Sequence, residues 1–134
     1  MIVQSFAIPM NKSNQAEKRC CVLVVDDHPK VLRFIEIDLK LRGFEVITTT
    51  SGDEALELVR SVKPDIMLLD IIMPELDGFE VLRKLRGFTD LPVIAFSASP
   101  GSHDDAIRLG ANYFITKPFR PDEMVRRIEA LLNR

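Results

Sequence analysis

The stretch that decides the fold is Pro64-Asp65-Ile66-Met67-Leu68-Leu69-Asp70-Ile71-Ile72-Met73-Pro74-Glu75-Leu76-Asp77-Gly78. The apolar run 66–69, bounded by prolines and a glycine, is typical of a strand that is buried on both faces. Asp70 follows where that strand ends. An aspartate at this point either begins a turn or belongs to a site, because sites in open parallel sheets lie outside the carboxyl ends of the strands. The other strand ends decide between these two interpretations.

Strands alternate with helices along the rest of the chain. Further strands are predicted at residues 21–25, 44–49, 92–98 and 112–116, and helices at residues 29–42, 52–62, 78–85, 99–109 and from 121 onward. Strict alternation predicts right-handed βαβ units, with five parallel strands and five helices that cover both faces of the sheet. The length of 134 residues suits one domain, which we place at residues 20–134. Residues 1–19 are expected to form a mobile N-terminal extension.

The first predicted helix carries two apolar stripes. One consists of Val31, Leu32, Ile35 and Leu39, and the other of Phe34, Ile37 and Leu41. At about 100° per residue the two stripes lie on different faces, so only one of them covers the sheet. The second stripe is either buried against a neighbouring helix or exposed for a partner.

The composition favours a protein of the cytoplasm. The formal net charge is −2, from 18 basic and 20 acidic residues, which gives no indication of nucleic-acid or membrane binding. No apolar run reaches the ~20 residues of a membrane span, and the N-terminus lacks the pattern of a signal peptide. The two cysteines, Cys20 and Cys21, are adjacent and point to opposite faces of a strand, so a disulfide between them is not expected. A reducing compartment suits them.

Polar residues follow four of the five predicted strands. They are Asp26 and Asp27, Asp70, Ser97, and Lys117. A parallel sheet brings all these strand ends to one edge, where unpaired carboxylates would repel each other. A hard divalent cation such as Mg²⁺ removes that repulsion and leaves positions for phosphate oxygens. These groups suit phosphoryl transfer, but the sequence has no glycine-rich nucleotide loop; a carboxylate can itself be the nucleophile, which gives an aspartyl-phosphate.

These motifs resemble the response-regulator receiver domains of two-component signalling, over about residues 20–134. The motifs that carry the resemblance are Val24-Val25-Asp26-Asp27, Leu68–Gly78, Phe96-Ser97-Ala98, Gly110-Ala111-Asn112-Tyr113-Phe114 and Lys117-Pro118-Phe119. The resemblance implies a flavodoxin-like, doubly wound α/β fold with strand order 2-1-3-4-5. It also implies a sensor histidine kinase or a histidine phosphotransfer protein as the phosphoryl donor.

The resemblance assigns a role to each site residue. Asp70 matches the phosphoacceptor. Asp27, Asp70 and the backbone carbonyl of Ile72 match direct Mg²⁺ ligands, and Asp26 matches a ligand that acts through water. The phosphoryl-binding and switch residues correspond to Ser97, Lys117 and Phe114. The Lys117–Pro118 peptide bond is expected to be cis.

Three positions depart from the common pattern of the family. Phe114 replaces the usual tyrosine at the switch position, so it has no hydroxyl to report a change. Ile72, two residues after the phosphoacceptor, cannot orient an attacking water through its side chain. His28 follows the acidic pair where the family usually has a polar or acidic residue. We interpret His28 as a residue at the rim of the site and not as a metal ligand.

The resemblance therefore implies a receiver that catalyses its own phosphorylation and slow dephosphorylation without being an enzyme in the ordinary sense. Phosphorylation would switch the surface of the fourth helix, fifth strand and fifth helix, which could bind a downstream protein or a second copy of the chain. Direct binding to nucleic acid or a membrane is not expected. Because the sequence ends just after the last helix, the chain could instead be a fragment of a longer DNA-binding regulator.

Two further classes of protein fit the sequence less well. A phosphatase with an aspartyl nucleophile resembles Asp-x-Asp sites, and the position of its general acid is Ile72 here. A degenerate receiver used only for binding would be expected to lack some of the five site residues, all of which are present.

Overall fold

The computed structural model describes residues 19–74 and 76–133. The extension predicted for residues 1–19 lies outside the described residues except for Arg19. The strands of the main sheet are β1 (Cys21–Val25), β2 (Glu45–Thr49), β3 (Ile66–Asp70), β4 (Val93–Ser97) and β5 (Tyr113–Thr116). The helices are α1 (Pro29–Leu41), α2 (Gly52–Val62), α3 (Gly78–Arg86), α4 (His103–Arg108) and α5 (Pro121–Leu132).

The five strands form one parallel sheet in the order β2-β1-β3-β4-β5. This arrangement confirms both the predicted flavodoxin-like fold and the predicted strand order. The central strand β3 is buried at every position, and so is β4. Their continuous apolar sequences follow from this burial, since both faces of a parallel sheet are covered by helices.

Each face of the sheet has its own hydrophobic core. Alternate residues of the central strands, such as Leu23 and Met67, pack with α2, α3 and α4 on one face. Their neighbours Val22 and Ile66 pack with α1 and α5 on the other. Successive strand residues point to opposite faces, so each strand contributes to both cores. The charged strand ends are thereby fixed between two rigid layers.

The two apolar stripes of α1 have different environments. Leu32, Ile35 and Leu39 are buried against the sheet. The second stripe is exposed, with 54% of Phe34, 48% of Ile37 and 84% of Leu41 accessible to solvent. Of the two environments that the sequence allows for this stripe, the exposed one is therefore found.

Two features of the loops differ from the prediction. A short antiparallel hairpin, Ile72–Met73 paired with Leu76–Asp77, follows β3. The fourth helix is shorter than the predicted span 99–109, because Pro100–Ser102 forms a 3₁₀ turn and only His103–Arg108 is α-helical. Proline and glycine at positions 100 and 101 explain the tighter first turn.

Gly78 fixes the hairpin against the end of β3. A Cβ atom at this position would lie 2.6 Å from the carbonyl oxygen of Asp70 and 2.5 Å from the Cα of Ile71. Asp77 precedes it and caps α3, since its carboxylate accepts a hydrogen bond from the backbone N–H of Phe79 at 2.9 Å. The glycine therefore allows the close approach that positions the loop after Asp70.

The helices found within the described ranges are all too short or too polar to cross a membrane.

Candidate functional site

The register of the sheet brings the predicted site residues to its carboxyl edge. Asp70 is the last residue of β3 and lies beside Phe96 of β4. Ser97 ends β4 and pairs with Thr116, the last residue of β5. Lys117 follows directly, and its backbone N–H donates to the carbonyl oxygen of Ser97 at 2.8 Å. Side chains that are far apart in sequence thus converge because their strands are parallel neighbours.

Lys117 joins two buried carboxylates. Its Nζ lies 3.0 Å from Oδ2 of Asp70 and 3.2 Å from Oδ2 of Asp26. Asp26 is fully buried and Asp70 is nearly so. The ammonium group also lies 5.0 Å from the centre of the Phe96 ring, within the range of a cation–π contact. The peptide bond between Lys117 and Pro118 is cis.

The charges at this edge shift the titration of Asp70 and Lys117. Burial raises the pKa of the Asp70 carboxyl, and the nearby charge of Asp26 adds to this effect. The hydrogen bond from Lys117 opposes the shift without cancelling it. Burial alone lowers the pKa of Lys117, but its bonds to Asp70 and Asp26 outweigh that effect and leave the pKa raised. The lysine is therefore held as a cation between the two carboxylates.

The site carries more negative than positive charge. Asp26, Asp27 and Asp70 contribute three carboxylates, while Lys117 is the ammonium group paired with two of them. One oxygen of Asp27, Oδ1, is buried and accepts no hydrogen bond from any described residue. An orphaned carboxylate oxygen beside surplus negative charge suits a divalent cation, because hard ions such as Mg²⁺ bind carboxylate oxygens.

His28 also reaches this cluster. Its Nδ1 lies 3.1 Å from Oδ1 of Asp26 and 2.9 Å from Oδ1 of Asp27. One ligand atom from each of four residues can be chosen so that all four lie within 4.8 Å of one another, the residues being Asp26, Asp27, His28 and Asp70. The sequence interpretation placed His28 only at the rim. The direction of its ring could not be predicted from a residue that lies between a strand and a helix.

The remaining predicted residues lie around the carboxylates. Ser97 is buried, and its hydroxyl accepts a hydrogen bond from the N–H of Ser99 at 3.0 Å. Phe114 packs in the core on the α4 side, where its ring meets the edge of the His103 ring at 5.4 Å. Ile72 is half exposed on the hairpin, and its N–H lies 3.3 Å from Oδ1 of Asp70. Phe114 is thus set apart from the acidic cluster, whereas the Ile72 backbone adjoins it.

Two cavities open beside the cluster. A cavity of about 600 Å³ borders Asp27 and lies between the loops that follow β1, β2 and β3. A groove of about 460 Å³ lies on the other side and is mostly apolar, with Lys117 at its edge. It is lined by Lys30, Val31, Phe34, Ala98, Lys117, Pro118 and Phe119. The groove continues the exposed stripe of α1 up to the edge of the acidic cluster.

Comparison with known proteins agrees with this geometry. The sequence model of the family described as "Response regulator receiver domain" matches residues 22–129. The transcriptional regulatory protein KdpE of Mycobacterium tuberculosis is 42% identical over 115 residues, which are 84% of this chain and 51% of that protein. The probable transcriptional regulator ycf27 of Porphyra purpurea is 40% identical over 123 residues, 90% of this chain and 49% of that protein. The chain spans about half the length of the curated relatives it matches.

Solved structures give the same result. The receiver domain of the Francisella response regulator 1452 is 34% identical, with a TM-score of 0.80, 87% of this chain covered and 98% of that one. The BeF₃-activated N-terminal receiver domain of RstA from Klebsiella pneumoniae is 30% identical, with a TM-score of 0.79 and coverage of 85% and 99%. This chain belongs to the response regulator receiver domain family of two-component systems.

Proposed function

We propose that the protein accepts a phosphoryl group on Asp70 from a phospho-histidine donor. The observation that carries the proposal is the buried Asp70 carboxylate, which is bonded to Lys117 at 3.0 Å beside two further carboxylates. A carboxylate oxygen of Asp70 attacks phosphorus, the phosphorus–nitrogen bond of the donor breaks, and its electron pair stays on the donor imidazole. The product is an aspartyl-phosphate, a mixed anhydride.

Asp27, Asp70 and the backbone carbonyl of Ile72 would hold Mg²⁺, with Asp26 acting through a water molecule. Bound there, the ion supplies positive charge that offsets the repulsion between the phosphoryl oxygens and the carboxylates. Lys117 is close enough to Asp70 to pair with a phosphoryl oxygen on that side chain. Ser97 is proposed to move its hydroxyl to the phosphoryl group, and Phe114 to move with it as the switch residue.

The apolar groove beside Lys117 suits the docking of the donor. A protein that delivers a phosphoryl group to Asp70 has to cover the mouth of the site, so its contact surface lies next to that mouth. The groove meets this condition and adds an exposed aromatic ring, Phe34, which is 54% accessible. The donor would be a sensor histidine kinase or a histidine phosphotransfer protein, in the cytoplasm.

The output depends on what else the whole protein contains. The curated relatives named as transcriptional regulators are about twice as long as the matched segment. Two outputs are compatible with the proposed phosphorylation. In one, phosphorylation switches a surface of α4, β5 and α5 that binds a downstream protein or a second copy of the chain. In the other, the chain is the receiver part of a longer DNA-binding regulator.

The direct test is labelling with a radioactive small-molecule phosphodonor such as acetyl phosphate in the presence of Mg²⁺. The expected label is sensitive to hydroxylamine, as an acyl phosphate is, and Asp70→Asn abolishes it while circular dichroism remains that of the parent. Asp90→Asn, an exposed carboxylate before β4, serves as the matched control and should label normally. Label that persists in Asp70→Asn assigns the phosphoacceptor to another residue and overturns the proposal.

A further inference from the structure

The ring of His28 is held against the acidic cluster, with Nδ1 within hydrogen-bond distance of Oδ1 of Asp26 at 3.1 Å, and not by α1. His28 is the N-cap residue of α1, yet its side chain makes no capping hydrogen bond within that helix. The side chain is 61% exposed, so it is not held by packing either. The polar groups that it meets are the carboxylates of Asp26 and Asp27. The ring thus points to the cluster.

The distances around Nδ1 match the spacing of ligands around one ion. Two ligands of one ion, each about 2.1 Å from it, lie about 3.0 Å apart at the right angles of an octahedral site and about 3.4 Å apart in a tetrahedral one. His28 Nδ1 lies 2.9 Å from Oδ1 of Asp27 and 3.1 Å from Oδ1 of Asp26. Despite the short distance to Nδ1, Oδ1 of Asp27 is also the buried oxygen that accepts no hydrogen bond in the described chain. The close approach of Nδ1 and the unpaired oxygen thus lie at one point, within a cluster in which Asp26, Asp27, His28 and Asp70 can each offer a ligand atom.

We propose that His28 is a metal ligand of this site and that it determines which ion the site prefers. The inference rests on the proposed function, because it uses the same cluster. Mg²⁺ prefers oxygen ligands, whereas an imidazole nitrogen favours ions such as Zn²⁺ and Co²⁺. A site with three carboxylates alone selects hard ions. With His28 added, the cluster offers nitrogen and oxygen ligands together, so transition ions bind more tightly relative to Mg²⁺.

His28 would give this site a selectivity for nitrogen-preferring ions that carboxylates alone do not provide. Replacing His28 should change the affinity for nitrogen-preferring ions strongly and the affinity for Mg²⁺ little. Asp27, in contrast, supplies oxygen, so its removal weakens both kinds of ion. Selectivity therefore separates the role of His28 from the existence of the site.

The test uses the full chain and measures Zn²⁺ and Mg²⁺ binding by isothermal titration calorimetry at pH 7.5. His28→Gln is expected to weaken Zn²⁺ binding about ten-fold or more, since even partners outside the ligand shell are worth roughly 10–100-fold. Mg²⁺ binding should change less than about two-fold, because the oxygen ligands that Mg²⁺ prefers remain. The control is His103→Gln, which replaces the second of the two histidines and should leave both affinities unchanged.

A second measurement detects the bond itself. The chain contains two histidines, so ¹⁵N NMR of the imidazole rings can be assigned with the two single variants. Zn²⁺ should shift Nδ1 of His28 to the range of a metal-bound nitrogen and leave His103 unchanged. Equal Zn²⁺ affinity in His28→Gln and the parent, or an unshifted His28 nitrogen, overturns the inference and leaves the proposed function standing. If the parent protein does not bind Mg²⁺, the proposed metal site itself is refuted.

Discussion

Arg86, near the amino end of the sheet, and the acidic cluster at its carboxyl end differ in how completely their polar groups are paired. The Arg86 guanidinium donates to the carbonyl oxygen of Gly110 at 3.1 and 2.8 Å, to that of Thr89 at 3.1 Å and to Oδ1 of Asn112 at 3.1 Å. Asn112 Oδ1 also accepts from the N–H of Val93 at 2.8 Å. These bonds tie the end of α3 to the starts of β4 and β5.

At the carboxyl end of the sheet, the polar groups are not paired as completely. Two of its three carboxylates, Asp26 and Asp70, pair with the ammonium group of Lys117, and Oδ1 of the third, Asp27, accepts no hydrogen bond within the described residues. Buried polar groups with complete sets of partners stabilise a fold, whereas a surplus of one charge costs stability until a ligand offsets it. The Arg86 cluster therefore has the features of a structural polar cluster, and the acidic cluster has those of a ligand site. Substitutions can test both.

The largest effect is expected when an oxygen ligand is removed from the acidic cluster. Asp27→Ala should weaken Mg²⁺ binding by about 10–100-fold or more, which is the range known for groups that support a bound metal. Asp26→Ala should cost less, because we propose that Asp26 acts through water. Calorimetric titration with Mg²⁺ measures both variants. Equal losses in the two would contradict the proposed division between a direct ligand and a water-mediated one.

The amino-end cluster should respond in stability and not in binding. Arg86→Leu removes the guanidinium from the Gly110 carbonyl and one of the two donors from Asn112 Oδ1, and should lower the free energy of unfolding by about 1–2 kcal/mol. Its affinity for Mg²⁺ should equal that of the parent. Urea unfolding measures the loss. Arg83→Leu, on the same helix with an exposed ion pair to Glu80, is the matched control and should change stability by no more than about 0.5 kcal/mol.

Substitution of the half-exposed Ile72 tests whether its apolar side chain slows the hydrolysis of an aspartyl-phosphate on Asp70. Hydrolysis of the aspartyl-phosphate needs a water molecule lined up with phosphorus, and an apolar side chain at this flank cannot orient one. Ile72→Asn should speed dephosphorylation about ten-fold, equivalent to about 1.4 kcal/mol of barrier. The decay of label on Asp70, followed after removal of the donor with Mg²⁺ present, measures the rate. Ile72→Val keeps an apolar side chain and should decay like the parent.

Equal decay of Ile72→Asn and the parent would mean that side-chain positioning at this flank does not set the lifetime. Ser99 lies two residues after Ser97 at the edge of the site. It is exposed, and its backbone N–H donates a hydrogen bond to the Ser97 hydroxyl.

The parts of the site that could be predicted from sequence are those fixed by topology. Apolar strands end at or just before Asp26, Asp70 and Lys117. Because these strands are parallel, their ends share one edge of the sheet, and the pattern of strands alone predicts that the three side chains converge. The predicted start of a helix at residue 78 is also confirmed, because the residue that caps α3, Asp77, directly precedes it in the chain.

The parts that could not be predicted depend on packing between distant residues. The hairpin after β3 has two-residue strands, which are too short to show any periodicity. The two stripes of α1 are similar in composition, and the neighbours of the helix decide which is buried. The contact of His28 with the carboxylates depends on the orientation of one side chain, for which sequence carries no signal.

The smallest expected effect is on the free energy of unfolding, which the excess negative charge of the acidic cluster lowers. Burial raises the pKa of Asp70 above its value in the unfolded chain, about 3.9. Below the unfolded pKa the carboxyl is protonated in both states, and the fold loses stability as the pH rises from the unfolded pKa through the raised folded pKa. Asp70→Asn is neutral throughout, so at pH 7 it should be more stable than the parent by about 1 kcal/mol, the usual size of a single-substitution effect.

This advantage should shrink as the pH falls toward 3.9 and when Mg²⁺ is added to the parent at pH 7. A ligand at ten times its Kd adds about 1.4 kcal/mol to the state that binds it, enough to cancel a difference of this size. Urea unfolding at pH 7 and pH 4, with and without Mg²⁺, measures each contribution, and Asp90→Asn controls for the loss of one surface charge. A parent that is more stable than Asp70→Asn at pH 7 without Mg²⁺ would mean that Lys117 already compensates the buried charge. The carboxyl end would then be as well balanced as the Arg86 cluster, and the contrast between them would not hold.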